Sequence, residues 1–331
     1  MLYSRVAIDD PDLELLAFNT AVNIDGDPDT HDAAIRLEFD SEHKAFGDHA
    51  VEYKQNRISV DGQEIAAYSF RNLEDAPWAD VSDRLVVVES TGKFVTSKAV
   101  AGHLASGAKR VVISAPARDE ITPTIVIGVN DSEDAVAAIK DVVAVSSCST
   151  NCIGPVLKVL SDNFEVRWGV ADIPHAYTNS QRPLDGTGRD TASRRGLHSM
   201  LPASTGSAKE IARIFPELDF FRSESMRVPI ADGSVAMMTI GLAGKIAAEN
   251  VVECLVEASE NSHKDIIGIS NHGMYSERVL GQSFSAVIDP RQITIDTSQG
   301  NSVVKLQGWF DNEWGYANRV AEVAKLVGQS I

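Results

Sequence analysis

The sequence predicts an α/β protein in two parts: a parallel sheet clothed in helices, then an α+β half whose sheet is mainly antiparallel. Three observations carry this. Residues 13–18 (LELLAF), 85–89 (LVVVE), 110–114 (RVVIS) and 142–146 (VVAVS) are short apolar, mostly β-branched runs alternating with helix-forming stretches, the pattern of a parallel sheet. Residues 228–246 and 291–310 are long runs broken by turn residues, as antiparallel strands are. The closing segment, 311–329, spaces Tyr316, Val320, Val323 and Val327 as one face of a helix.

Within the first half, residues 93–109 (KFVTSKAVAGHLASGAK) have helical composition and a glycine placed to cap the C-terminus. Residues 51–70 form a hairpin-like insertion turning at Asp61-Gly62. In the second half a helix is expected around 250–259 (NVVECLVEAS).

Composition narrows the function classes. The 331 residues are 44% hydrophobic and 23% charged, as in ordinary globular proteins, with a net charge of -17. That charge argues against a nucleic-acid surface, which needs positive faces. An anionic substrate must be held by local arginines and backbone amides. No stretch is apolar for long enough to span a membrane, and the first residues lack a signal-peptide pattern. Three cysteines form no disulfide framework, so a cytoplasmic location is expected. Cys148 and Cys152 lack a second pair at zinc-site spacing, and no metal is expected.

The run VVAVSS leads straight into Cys148, and Cys152, Ile153, Val156, Leu157 and Leu160 then share a helical face. Cys148 therefore falls at a helix N-terminus, where unpaired N–H groups favour a thiolate. A small buried hydrophobe is the alternative reading. Cys152 and Cys254 are expected in the core.

The segments SSCSTNC (146–152), PHAYTNSQ (174–181), LPASTGSAKE (201–210), MRVPIADGSV (226–235) and GWFDNEWGYANRV (308–320) resemble those of phosphorylating glyceraldehyde-3-phosphate dehydrogenases. ESTGKFV (89–95) and GAKRVVISAPA (107–117) join them in the same order. The resemblance implies a Rossmann-type dinucleotide-binding domain over 1–147 and 313–331, with a catalytic domain over 148–312. It implies Cys148 as nucleophile, already paired as a thiolate with His175, its base. Ser147, Ser149, Thr178, Arg194, Thr205, Gly206 and Arg227 would hold the phosphorylated aldehyde and inorganic phosphate. Asn19, Thr20, Arg71, Thr91, Ser114, Thr187, Asn312 and Tyr316 would contact NAD or NADP. A homotetramer is also implied.

Three departures qualify the resemblance. The family opens with a strand and the glycine-rich loop GFGRIGR, whereas this chain starts with MLYSRVA, similar to the helix that follows that loop; about fourteen residues are expected to be missing. A misassigned start or shortened chain, or a degenerate paralogue, would account for this. Thr20 stands where an acidic residue would bind the adenosine ribose, and LDGTGR (184–189) replaces a Leu-Pro. Both are similar to NADP-using photosynthetic members and imply relaxed or NADP-leaning preference, although Asp25 or Asp27 could restore NAD binding. Ser180 replaces an aspartate beside the substrate-phosphate site, and the segment 23–29 is longer than usual. The alternatives are oxidation of erythrose 4-phosphate, arsenate as acceptor, or a non-catalytic binding or regulatory protein.

Overall fold

The computed structural model describes residues 1–20, 28–186, 195–218 and 220–331. They divide into two units, one of residues 1–125, 132–145 and 320–331, the other of 126–131 and 146–319.

In chain order the first unit contains α1 (Leu2–Asp9), β1 (Ala17–Asn19), α2 (Thr30–Glu38), β2 (Phe39–Asp40), β3 (Lys44–Ala45), β4 (Val51–Lys54), β5 (Arg57–Val60) and β6 (Gln63–Tyr68). Then come α3 (Trp78–Val81), β7 (Val86–Glu89), α4 (Ala101–Ala105), β8 (Arg110–Ile113), α5 (Glu133–Ala137) and β9 (Val142–Ala144). β7, β8 and β9 pair in parallel, in that order. β1 pairs in parallel with β6, the last strand of the meander β4–β5–β6. The meander turns at Asp61 and Gly62, both at positive φ, as its Asp-Gly signal requires, and also at Asn56. Ala33, Leu37, Ile58, Val60 and Ile65 form the core beneath it. Each such fully buried Leu, Ile or Val side chain stabilises by about 1.5–3 kcal/mol.

Two expectations are corrected here. The strand expected over 13–18 lies at Ala17–Asn19, because its register with β6 begins at Ala17↔Ala66; Leu15 packs on the core from unpaired chain. The helix expected over 93–109 shrinks to Ala101–Ala105. Upstream, Ser97 N–H donates to Asp119 Oδ2 at 2.8 Å, and its hydroxyl lies 2.7 Å from Thr122 Oγ1. Such side-chain bonds compete with the helix ladder.

The second unit contains α6 (Cys148–Asn163), β10 (Val166–Ala176), β11 (Leu201–Ala203), α7 (Ser207–Ile214), β12 (Phe220–Val228), β13 (Ser234–Leu242) and α8 (Ala248–Glu260). β14 (Ile267–Ile269), α9 (Ser276–Val279), β15 (Ala286–Ile288), β16 (Thr294–Asp296) and β17 (Ser302–Phe310) follow. A last helix, α10 (Trp314–Gln329), begins in this unit and ends in the first. The strands form one sheet in the order β11-β12-β10-β13-β17-β15-β14, with β16 on β17. Its pairings are mainly antiparallel, β10–β12 and β14–β15 being the parallel ones. The α/β class and both sheet types thus follow the sequence expectation.

Helices α6, α7 and α8 lay Ile153, Val156, Leu157, Leu160, Ile211, Val251 and Leu255 into one core with Ala171, Ile173, Met238, Ile240, Val304 and Leu306 of the sheet. Cys152 is fully buried there and Cys254 nearly so, which is the packing role expected of both. Gly308 on β17 lets α6 approach: a Cβ there would lie 2.8 Å from Cys152 Sγ. On the opposite face of the sheet, Phe220, Met226 and Met237 are 42%, 42% and 45% exposed. Register brings Met237 beside Asp172, and Met226 beside Pro174.

Candidate active site

Ser147 caps α6: its Oγ accepts from Thr150 N at 3.2 Å, so the helix opens at Cys148. The chain enters through Ser146, fully buried and at φ +61°, a left-handed conformation that costs a non-glycine residue about 1 kcal/mol. Two bonds hold it there. Ser146 Oγ donates to Glu210 Oε2 at 3.2 Å, and Tyr316 Oη donates to Ser146 O at 2.8 Å. Cys148 as a residue is half-buried.

His175 sits near the end of β10, opposite Arg227 of β12 in the parallel register. Its Nε2 lies 3.4 Å from Cys148 Sγ. Its Nδ1 lies 2.8 Å from Ala176 O and 2.5 Å from Arg227 Nη1. The two neighbours ask for opposite tautomers: Ala176 O accepts from an Nδ1–H, whereas Arg227 Nη1 can only donate, either to a bare Nδ1 or to Ala176 O at 3.2 Å. With the proton on Nδ1, Nε2 presents a lone pair to the sulfur, as a base must. Phe310 meets the ring edge-on, with centroids 6.1 Å apart.

The electrostatic surroundings bear on the expected thiolate. Burial pushes the Cys148 thiol up to about 11, against the pull of Ser149 and the Arg227 charge. Burial and then the Arg227 charge push His175 down to about 4. A helix terminus contributes at most ~2 kcal/mol, less than 1.5 pKa units, which does not reverse a shift of that size. Both shifts run against a standing thiolate–imidazolium pair and toward a neutral thiol beside a neutral imidazole.

A second chain of bonds runs from the same strand. Ala176 N–H donates to Ser234 Oγ at 3.0 Å, and Ser234 Oγ–H donates to Asn312 Oδ1 at 2.6 Å. Asn312 is thereby oriented with its NH₂ left to donate, the donor a carboxamide oxygen of a nicotinamide asks for. Asp232 Oδ1 accepts from Gly233 N at 2.6 Å and Asn312 N at 3.2 Å. Burial, with the neighbouring Asp311 carboxylate, pushes Asp232 up to about 8. Sequence reasoning missed Ser234, Asp232 and Asp311; their one signal was polar residues directly flanking long strands.

The expected oxyanion ligands are partly gathered. Arg227 is half-buried, and its Nε is buried with no hydrogen-bond partner among the described residues. An orphaned guanidinium N–H suits a phosphate oxygen. Ser149 is buried and bonds Cys148. Gly206 caps α7, and Thr205 Oγ1 accepts from Ser207 N at 3.2 Å. Thr178 spends its N–H on Gln181 Oε1 at 2.8 Å and its hydroxyl on the same oxygen at 3.0 Å; Ser180 Oγ lies 3.1 Å from that hydroxyl. Arg194 and Thr187 lie outside the described residues, as do Asp25 and Asp27.

In the first unit, Asn19 clamps the chain after β6: its Nδ2 donates to Phe70 O at 3.0 Å and its Oδ1 accepts from Phe70 N at 2.7 Å. That fixes exposed Arg71 one residue on, and Thr20 N donates to Tyr68 O at 2.8 Å. Thr91 and Ser114 follow the carboxyl ends of β7 and β8, the edge where parallel sheets bind dinucleotides.

Comparison with known proteins decides the family. Residues 147–312 match the glyceraldehyde 3-phosphate dehydrogenase C-terminal domain, and residues 2–97 match the NAD binding domain of the same family. The chain belongs to the glyceraldehyde 3-phosphate dehydrogenase family. It is 34% identical to glyceraldehyde-3-phosphate dehydrogenase of Podospora anserina over 98% of this chain and 93% of that one. To the cytosolic enzyme of Craterostigma plantagineum it is 33% identical over 98% and 94%. To glyceraldehyde-3-phosphate dehydrogenase 2 of Streptomyces avermitilis it is 35% identical over 85% and 83%. Membership brings a dinucleotide-binding domain for NAD or NADP and glyceraldehyde-3-phosphate dehydrogenase activity in general. Among the described residues no helix is long and apolar enough to cross a membrane.

Proposed function

We propose that this chain oxidises glyceraldehyde 3-phosphate and passes the acyl group to inorganic phosphate, giving 1,3-bisphosphoglycerate. The observation that carries this is the 3.4 Å approach of His175 Nε2 to Cys148 Sγ. In this reading Nε2 takes the thiol proton as the sulfur bonds to the aldehyde carbon, then returns it to the resulting oxyanion to give a hemithioacetal. NAD or NADP, when bound, supplies the hydride acceptor that turns this adduct into a thioester. His175 recovers the hydroxyl proton in that step. A phosphate oxygen then attacks the thioester carbon, the C–S bond breaks, and the sulfur regains the proton held by His175. The Arg227 guanidinium and the amides at the start of α7 are the donors we assign to the anionic groups.

For the cofactor we propose relaxed or NADP-leaning preference. Thr20 carries no charge to repel a 2′-phosphate, and the Asn19 clamp holds cationic Arg71 nearby in sequence. We further propose that the chain works in the cytoplasm, like relatives named as cytosolic, and as a homotetramer. The exposed Phe220, Met226 and Met237 on one sheet face support a second copy as the occupant of that face.

The test follows cofactor reduction with glyceraldehyde 3-phosphate. Turnover should need phosphate, stop after one equivalent without it, and vanish in Cys148→Ser. Faster turnover with erythrose 4-phosphate, or with arsenate than with phosphate, would move the assignment to those alternatives. A folded chain that reduces neither NAD nor NADP with either aldehyde would leave the binding-protein alternative standing.

A further inference from the structure

The proposed chemistry leaves one buried polar cluster of the first unit unused. Glu89, the last residue of β7, and His103 of α4 are 5% and 4% exposed. Trp78 Nε1–H donates to His103 Nδ1 at 2.9 Å. An indole N–H can only donate, so Nδ1 must be the bare nitrogen and the imidazole proton sits on Nε2. That proton points to Glu89 Oε2, 3.3 Å away. The other carboxylate oxygen, Oε1, accepts from Thr91 N at 2.7 Å and from Thr91 Oγ1 at 2.5 Å. Thr91 Oγ1 in turn accepts from Lys93 N at 3.2 Å. The main chain of Glu89 also acts here, its carbonyl accepting from Ser114 N at 3.0 Å.

Three of these bonds, from Thr91 N, Thr91 Oγ1 and His103 Nε2, converge on one carboxylate, and the Trp78 indole fixes the direction of the last. His103 and Thr91 hold it ionised despite its burial: its pKa lies below the usual glutamate value. The turn it grips, closed by Gly92 at φ +69°, is exposed at the carboxyl end of β7, inside the span matching an NAD binding domain. Thr91 and Ser114, the two ends at this edge expected to meet the cofactor, both hang from Glu89. A cluster serving only the core would have no reason to reach out to an exposed threonine.

We infer that Glu89, backed by His103 and Trp78, is a positioning residue for the nicotinamide dinucleotide: it presets the 90–93 turn as one wall of the cofactor site. Because the Thr91 hydroxyl proton is committed to Glu89, Thr91 presents the cofactor with lone pairs rather than a donor. This rests on the proposed NAD(P)-dependent reading of the chain.

Glu89→Gln tests it. The glutamine keeps the shape and can still accept from Thr91, but its NH₂ faces the Nε2–H of His103, donor against donor. Flipping the tautomer to relieve this puts an N–H against the Trp78 indole. Isothermal calorimetry of cofactor binding, without aldehyde, should show the dissociation constant rising about tenfold, the size of effect expected for a charge-assisted bond. Trp78→Phe removes the opposing donor, so Trp78→Phe/Glu89→Gln should recover most of that loss, although it removes a further bond. If the fold rather than the site depended on Glu89, the melting temperature would fall with cofactor affinity unchanged, and the double variant would be worse than either single one; either result overturns the inference. Should Glu89→Gln not fold, Trp78→Phe alone must weaken cofactor binding, and wild-type affinity in it overturns the inference. Wild-type chain that binds neither NAD nor NADP removes the proposed function itself, which separates the two failures.

Discussion

Arg227 Nη1 lies 2.5 Å from His175 Nδ1, across two parallel strands that place the two residues in register. A fixed cation so close disfavours an imidazolium, and it helps make His175 a base that stays neutral far below neutrality.

The first consequence is a pH profile. With the thiol at about 11 and the imidazole at about 4, the pair is neutral between those values. Raising pH therefore deprotonates sulfur, and alkylation of Cys148 by iodoacetamide should quicken about tenfold per pH unit through the neutral range. Arg227→Gln removes a charge that lowers the Cys148 pKa, so alkylation at pH 8 should slow several-fold. A rate already level by pH 6–7 would instead show a preformed thiolate–imidazolium pair.

The second concerns the cofactor preference proposed for Thr20. In the proposed cofactor reading, Thr20→Asp places a carboxylate where it would repel a 2′-phosphate and accept from ribose hydroxyls. The ratio of kcat/KM for NAD over NADP should rise by more than about tenfold. An unchanged ratio would show that Thr20 does not set the preference.

The third tests the packing under α6, the helix that opens at Cys148. Gly308→Ala drives a methyl to within 2.8 Å of Cys152 Sγ, and overpacking of this kind costs about 1–3 kcal/mol. Cys152→Ala frees the space, so Cys152→Ala/Gly308→Ala should be more stable than the sum of the single losses predicts. Urea unfolding midpoints measure the cycle; simple additivity would rule the contact out as the cause.

The fourth addresses assembly. Met237→Lys places a charge on the exposed sheet face without entering the core, since Met237 is already 45% exposed. Light scattering should show a smaller species than wild type, with the second unit still folded. A species of unchanged mass would place any subunit contact elsewhere.

Much of the fold was legible because its signals are local. Ser147 ahead of an apolar-striped run marks the start of α6, and Asp61-Gly62 marks a turn. The helix over 93–109 failed because Asp119 and Thr122, far along the chain, capture Ser97. β10 was not legible: its inward residues include Gly169, Ala171 and His175, which give no strong alternation. The meeting of Cys148 with His175 rests on tertiary closure, and only the motif resemblance foresaw it. Glu89 and His103 stayed hidden because a glutamate ending a strand and a histidine in a helix look like ordinary surface residues until both prove buried.

The strand pairing that faces His175 toward Arg227 also says where this chain can change length. Both groups are carried on rungs of one ladder, 52 positions apart along the chain. Residues gained or lost between the two strands need not disturb their alignment. A single insertion within either strand, upstream of its active residue, would turn the imidazole or the guanidinium to the other side of the sheet. The facing of these two groups therefore depends on the spelling of the rungs and not on the length of the connection, on which the donors at the start of α7 set a separate limit.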